Sequence, residues 1–377
     1  MSEKIFILTG ESSGEMYGAS LVKELLKLNK TLKISGVGSV NLQTAGADII
    51  FDYSEINYIG FSSIAKNIFK IKKKLNECIS FIKNDKPTAV ILIDFPGFNL
   101  KLIKEIRKFY TGKIIYYISP QLWAWHKERI KIIQKFVDKI LVIFPFEVDF
   151  YKKENVDAEY VGHPLKEKTD EFISLNKKKK EDGQKLTLTL MPGSRKEEVE
   201  RILPVLLEAS DKLKDIFDLK INILCSGNIE LNFYSDKLNN RKINLIYDDG
   251  TKIIEFRTIF ESDLLFTKSG TSTVECALLK SPFCIVYKTG SLNYLIGKYF
   301  IKLKNIGMVN ILLKDNVVKE FIQHDCNADN LFQEGKLILT NKPYRDEMIN
   351  NFNKLDILLG NKKASEIVAK SILELIG

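Results

Sequence analysis

Short, nearly unbroken runs of apolar residues recur along the chain, with amphipathic stretches between them. The first half carries KIFILTG (4–10), LKISGVG (32–38), TAVILIDF (88–95), KIIYYISP (113–120) and DKILVIFP (138–145). The second half carries KLTLTLMPG (185–193), KINILCSG (220–227), INLIYDD (243–249), DLLFTKSG (263–270) and FCIVYK (283–288). Near-continuous β-branched runs are what strands buried on both faces need. Helical spacing between them predicts βαβ crossovers and parallel sheets, so an α/β protein of two Rossmann-like domains is expected. Lys177–Gln184, KKKKEDGQ, holds no apolar residue and reads as an exposed linker. The expected division is a first domain over 1–176, a second over 177–343, and two C-terminal helices over 344–377 that part near Gly360.

Composition narrows the setting. A chain of 377 residues, 45% of them apolar, has material for two cores. Lys+Arg 57 against Asp+Glu 48 leaves a charge of +9, which suits an anionic partner: nucleic acid, a phosphorylated ligand or an acidic membrane surface. No nucleic-acid recognition motif accompanies the charge, so nucleic acid is not expected as a partner. Five cysteines without a CxxC pair predict buried, reduced thiols, and three dispersed histidines suggest no metal site. No apolar run approaches the roughly 18 residues of a membrane span. The start of the chain lacks the apolar core of a signal peptide. A soluble protein that can still lie on a membrane is the expectation.

Several strand ends carry candidate chemistry. MPGSRKEEV (191–199) predicts a tight turn into a helix, with Gly193 allowing close approach of a ligand, Ser194 as N-cap and Glu197 at capping-box spacing. The first helical N–H groups, with Arg195 beside them, can cradle a phosphate; an ordinary strand-to-helix turn with a solvated arginine fits equally well. KSGTSTVE (268–275) repeats this logic through Ser269, Gly270 and Thr271, and Glu275 one turn on can hold a ribose diol. The opening loop TGESSGEMYG (9–18) offers Gly10, Ser12, Gly14 and Glu15 for close approach of a substrate. It is not GxGxxG, which counts against a dinucleotide enzyme. Asp94 ends an apolar strand, where it can act as a general base or cap the helix near Gly97. Ser119 opens a loop with Trp123 and Trp125, which can line an acyl or sugar surface or pack in the core. His163 in VGHP can bond a phosphate or serve the fold. Two basic stretches, 62–83 and 291–304, alternate apolar residues with lysines, as an interfacial helix or as the solvated face of a packed one.

Seven stretches taken in order, GESSGEMYGASL, GVGSVNLQTAG, IDFPGFN, SPQLWAWHKERI, VGHP, MPGSRKEEVERILP and SGTSTVECALLKSPFCIVYK, resemble the lipid-A-disaccharide synthases over nearly the whole chain. These are bacterial glycosyltransferases of the GT-B type, with two Rossmann-like domains whose parallel sheets face across a cleft. Where family members usually carry Ala and Asp, this chain has Ser12 and Glu15. The resemblance implies an inverting transfer of sugar from UDP-2,3-diacylglucosamine to 2,3-diacylglucosamine 1-phosphate (lipid X), giving the β-1,6 disaccharide 1-phosphate and UDP. It implies Asp94 as base. It implies Gly193, Ser194, Arg195, Ser269, Gly270, Thr271, Glu275 and Asn310 on the donor side, and Gly10, Ser12, Gly14, Glu15, Ser119, Trp123, Trp125 and His163 on the acceptor side. With no Asp-x-Asp motif in the chain, no metal or other cofactor is expected. The resemblance further implies a cytoplasmic enzyme, peripheral on the inner face of the inner membrane of a Gram-negative bacterium, and allows a homodimer. It also brings the final helix back onto the first domain. A UDP-N-acetylglucosamine 2-epimerase and a non-catalytic nucleotide-sugar-binding protein are the rival readings.

Overall fold

The computed structural model describes residues 3–57, 61–123, 127–177, 185–247, 251–290 and 305–377, with the backbone alone at 61–66 and 127. The linker at 178–184 and the basic segment at 291–304 therefore lie outside the described residues. The chain forms two compact units, Met1–Glu167 with Asn361–Gly377, and Lys168–Gly360.

The first unit holds strands β1 (Lys4–Leu8), β2 (Lys33–Gly38), β3 (Asp48–Asp52), β4 (Ala89–Ile93), β5 (Lys113–Tyr117), β6 (Lys139–Val142) and β7 (Ala158–Tyr160). Its helices are α1 (Ser12–Leu28), α2 (Val40–Thr44), α3 (Phe61–Asp85), α4 (Pro96–Ile106), α5 (Ile130–Phe136), α6 (Pro145–Lys153) and α7 (Pro164–Leu175), which runs on into the second unit. The described strands order as β3-β2-β1-β4-β5-β6-β7, every pair parallel. Its first six strands follow the doubly wound Rossmann order. The reason lies in the sequence. All five residues of β4, AVILI, are buried, so both faces must be covered, and helices cover them. On α3, Ile71, Leu75 and Ile79 pack on the core around Cys78 and Ile82, whereas Ile68 and Phe69 stand exposed.

The second unit holds β8 (Leu186–Met191), β9 (Leu219–Cys225), β10 (Asn244–Tyr247), β11 (Leu264–Lys268), β12 (Phe283–Tyr287) and β13 (Glu320–Ile322). Its helices are α8 (Lys196–Lys214), α9 (Leu231–Ser235), α10 (Ile253–Phe260), α11 (Thr271–Leu278), α12 (Met308–Leu313), α13 (Ala328–Thr340) and α14 (Lys342–Leu359). The order β10-β9-β8-β11-β12-β13 repeats the Rossmann plan, again all parallel. The last helix, α15 (Ala364–Ile376), belongs to the first unit and packs on α1.

Two boundaries differ from expectation. The first unit ends at Glu167 rather than residue 176, because Phe172 on α7 packs edge-on against Phe256 and Phe260 of α10, each 5.8 Å away. Of the C-terminal helices over 344–377, only α15 groups with the first unit. Helix α14 stays with the second, where the fully buried Phe352 stacks on Phe283 at 5.5 Å and Lys280 Nζ donates to the Phe352 carbonyl at 3.0 Å.

Candidate functional site

In each unit the strand order reverses between its first strand and a later neighbour: β1 beside β4, and β8 beside β11. Ligands of open α/β sheets bind at such switch points, beyond the carboxyl ends of the strands. In each unit some of the candidate residues fall there, while Ser119 and Trp123 follow β5, His163 follows β7 and Asn310 lies in α12.

In the first unit, β1 delivers Gly10 and β4 delivers Asp94. A Cβ at residue 10 would lie 2.2 Å from Phe95 ring carbons, so only glycine lets that ring pack. Asp94 and Phe95 are both left-handed, each with φ 48°. Such a backbone costs on the order of 1–3 kcal/mol per non-glycine residue and persists only when its surroundings enforce it. They do so here. The buried Asn99 donates through Nδ2 to the Asp94 carbonyl at 2.7 Å, and the Tyr116 hydroxyl donates to the same carbonyl at 2.6 Å. The Asp94 N–H donates to the Tyr117 carbonyl at 3.1 Å. Phe95, not Asp94, is the N-cap of α4, and it forms no side-chain capping bond, so the capping role weighed for Asp94 is not the one it plays. The residue is half-buried, and desolvation of its carboxyl first, then the nearby charge of Glu11, push it up to about 7 against the pull of the Phe95 N–H. A carboxylate that titrates near neutrality is suited to taking a proton.

The other acceptor-side candidates divide. Gly14 and Glu15 are buried in α1, while Ser12 is exposed and hydrogen-bonds the Tyr53 hydroxyl. Glu15 points at the start of α2, accepting the Leu42 N–H at 3.4 Å, and burial raises its pKa. Ser119 is also turned inward. Its hydroxyl and the Trp123 indole N–H both donate to Oε1 of Glu147, each at 3.2 Å, and the Phe144 N–H donates to Oε2 at 3.1 Å. Glu147 is 1% exposed, and burial pushes it up to about 7. Trp123 meets Phe146 edge-on at 5.0 Å; Trp125 lies outside the described residues. His163 opens α7 and accepts the Leu165 N–H on Nδ1 at 3.2 Å. Burial drives its pKa down to about 3, so it stays neutral and brings no positive charge to a phosphate.

In the second unit, β8 ends in Met191 and pairs with Thr267 of β11, which sets Lys268 beside the turn that follows β8. Gly193 has φ +120°. The helix start lies one residue later than the sequence predicts: Arg195 is the N-cap of α8, and its side chain makes no capping bond. The reaching carboxylate is accordingly Glu198 rather than Glu197. Its Oε2 accepts the Ser194 N–H at 3.2 Å, its Oε1 pairs with Arg195 Nη1 at 2.8 Å, and the same Oε1 meets Lys268 Nζ at 2.9 Å. Glu197 lies out in solvent beside Arg201. Across the switch point, Gly270 is the N-cap of α11, with open space where a side chain would be, and Thr271 is exposed. The Ser269 hydroxyl donates to the Ile306 carbonyl at 2.9 Å.

Two donor-side candidates have partners within the fold. Glu275 is 3% exposed and turned to Lys252 at 3.3 Å rather than to open space; Lys252 also holds Glu255 at 2.6 Å. Asn310 is 1% exposed and committed to the fold. Its Nδ2 donates to the Val318 carbonyl at 2.7 Å and to Glu320 at 2.8 Å, and its Oδ1 accepts the Val318 N–H at 3.0 Å. Glu320 in turn accepts the N–H groups of Ile306 and Gly307, so this pair shapes the loop into α12. Among the described residues, no three His, Cys, Asp or Glu side chains converge to hold a metal ion. Sequence reasoning missed Glu147, Glu198, Lys252 and Glu320. Glu198, Lys252 and Glu147 each have one partner three residues away, but the contacts to Lys268, to Glu275 and to Ser119 come from distant parts of the sequence.

Comparison with known proteins gives one family. The family model described as lipid-A-disaccharide synthetase matches residues 5–372. A Legionella pneumophila lipid-A-disaccharide synthase 1 is 35% identical over 367 residues, covering 96% of this chain and 95% of its own. Among solved structures, a Neisseria meningitidis UDP-GlcNAc 2-epimerase bound to UDP-GlcNAc aligns with a TM-score of 0.66 at 13% identity, covering 98% of this chain and 100% of its own. The calicheamicin glycosyltransferase CalG4 aligns at 0.58 and 12%, covering 100% and 99%. Likenesses at such identity speak for the GT-B fold alone.

Proposed function

We propose, from the premise that this chain belongs to the lipid-A-disaccharide synthetase family and is a glycosyltransferase of lipid A biosynthesis, that it joins UDP-2,3-diacylglucosamine to lipid X with inversion at the anomeric carbon. The observation that carries the mechanism is Asp94, held in a strained turn at a switch point with its carboxyl near neutral pKa. Asp94 takes the proton of the acceptor 6-hydroxyl as that oxygen attacks. The bond to UDP breaks in the same step, and negative charge gathers on the leaving diphosphate. Arg195, the first N–H groups of α8, and the open turn at Gly270–Thr271 are the donors that can meet it. The absence of an Asp-x-Asp motif favours a reaction without a bound metal.

Both substrates carry acyl chains, so the work is done at a membrane surface. No described helix is long and apolar enough to cross a membrane. Helix α3 offers another route, since Phe69 is 85% and Ile68 52% exposed, flanked by the exposed Lys70, Lys72 and Lys73. Apolar side chains among lysines suit an anionic interface.

The test is product analysis. The purified chain, given both lipid substrates in mixed micelles, should form a disaccharide 1-phosphate whose new linkage is β by the anomeric coupling in proton NMR. An α linkage would overturn the inverting mechanism, and no disaccharide would overturn the substrate assignment.

A further inference from the structure

Glu198 holds more than its own helix start. Its two oxygens collect a backbone N–H from the turn after β8 (Ser194), a guanidinium from the same turn (Arg195) and an ammonium from the end of β11 (Lys268), at 3.2, 2.8 and 2.9 Å. Such a set of donors is what a phosphate oxygen needs: one backbone N–H just before a helix and two cations, one from that turn and one from the end of a neighbouring strand. The Glu198 side chain is 15% exposed and that of Lys268 19%, so the pair is well shielded, while Arg195 is 43% exposed. The turn is fitted to the carboxylate as well. A Cβ on residue 193 would stand 2.5 Å from Glu198 Oε2.

We infer that Glu198 is a resident counter-ion for the donor seat, and that Lys268 is a second diphosphate-binding cation beside Arg195. This rests on the UDP-sugar reading given above and names residues that the sequence did not single out for it. In the ligand-free protein the carboxylate keeps two neighbouring cations from repelling each other and holds them in register. The incoming diphosphate takes over Lys268 and Arg195, with Glu198 yielding them. Glu198 then opposes the ligand's negative charge, so affinity is tempered and UDP can leave after transfer. Glu198 is a positioning residue, since it acts through the two cations.

The experiment is equilibrium binding of UDP and of uridine to the full chain, for wild type, Glu198→Gln, Lys268→Met and Lys268→Arg. Uridine lacks the diphosphate and reports whether the rest of the seat is intact. Glu198→Gln should tighten UDP about five- to tenfold, because a negative neighbour is removed, and leave uridine unchanged. Lys268→Met should weaken UDP about tenfold or more with uridine unchanged, and Lys268→Arg should restore most of the loss. Weaker UDP binding by Glu198→Gln, or equal shifts for UDP and uridine, would make Glu198 a structural residue and overturn the inference. Unchanged UDP binding by Lys268→Met would also overturn it. A wild-type chain that binds neither ligand would overturn the donor reading itself, and this inference with it.

Discussion

The ring of Phe95 occupies the space that a side chain on residue 10 would need, at 2.2 Å from where its Cβ would stand. Two strands thereby lock together at their carboxyl ends. Phe95 has a left-handed backbone with its ring over Gly10, and Asp94 precedes it in the same conformation. Gly10→Ala should therefore displace Phe95 and disturb the Asp94 turn without touching a charged group. We expect turnover to fall by about 10²-fold, as misplaced reacting groups do. Stability should fall by about 1–3 kcal/mol. Steady-state kinetics beside thermal unfolding would check both; a well-folded Gly10→Ala with full turnover would count against the clamp.

The Asp94 carboxyl titrates at about 7, and a base works only when deprotonated. Log kcat/KM should rise with pH at a slope of about one below pH 7 and level off above it. The sign follows from desolvation, the largest cause of the upward shift. Glu11 contributes the next part, so Glu11→Gln should move the break toward lower pH. A profile flat from pH 5.5 to 8 would exclude Asp94 as the titrating base.

Glu147 makes a separate pH prediction, on stability. Its carboxyl rises from an ordinary 4.5 to about 7 in the fold, because burial penalises the charge. A raised carboxyl favours folding most below the unfolded pKa, and that advantage is lost as pH climbs from about 4.5 through about 7. The loss attributable to Glu147 is on the order of 3 kcal/mol. Denaturant melts of wild type and Glu147→Gln at pH 5 and pH 8 should show the gap between them closing or reversing at the higher pH. A constant gap would contradict the assignment.

Most strands were legible because they are buried on both faces. Ala89–Ile93 and Leu186–Met191 read as apolar runs, since each lies inside its sheet. The strands that escaped notice, β3, β7 and β13, are all at sheet edges, where one side is open and a run of three to five residues suffices. Site residues followed the same rule. The positions of Asp94, Gly193 and Gly270 just beyond β4, β8 and β11 were legible because apolar runs end there. The fold partners of Ser119 and Asn310 were not legible, because they come from elsewhere in the fold. Ser119 answers to Glu147, 28 positions on, and Asn310 to Glu320, 10 positions on. His163 looked like a polar residue at a strand end, and burial turned it into the neutral acceptor that starts α7. The expected capping box does not form because the helix begins after Arg195, whose side chain makes no capping bond, and Glu198 reaches Ser194 and Lys268 instead.

The most direct test of the central claim is UDP release from UDP-2,3-diacylglucosamine, with and without lipid X, in EDTA, for wild type and Asp94→Asn. Asn keeps the shape of the side chain and removes the base. The account predicts release that requires lipid X, persists in EDTA and falls by about 10²–10⁴-fold in the variant, with UDP binding retained. Near-wild-type release by Asp94→Asn would contradict the claim that Asp94 takes the acceptor proton, and loss of wild-type activity in EDTA would contradict the metal-free reaction.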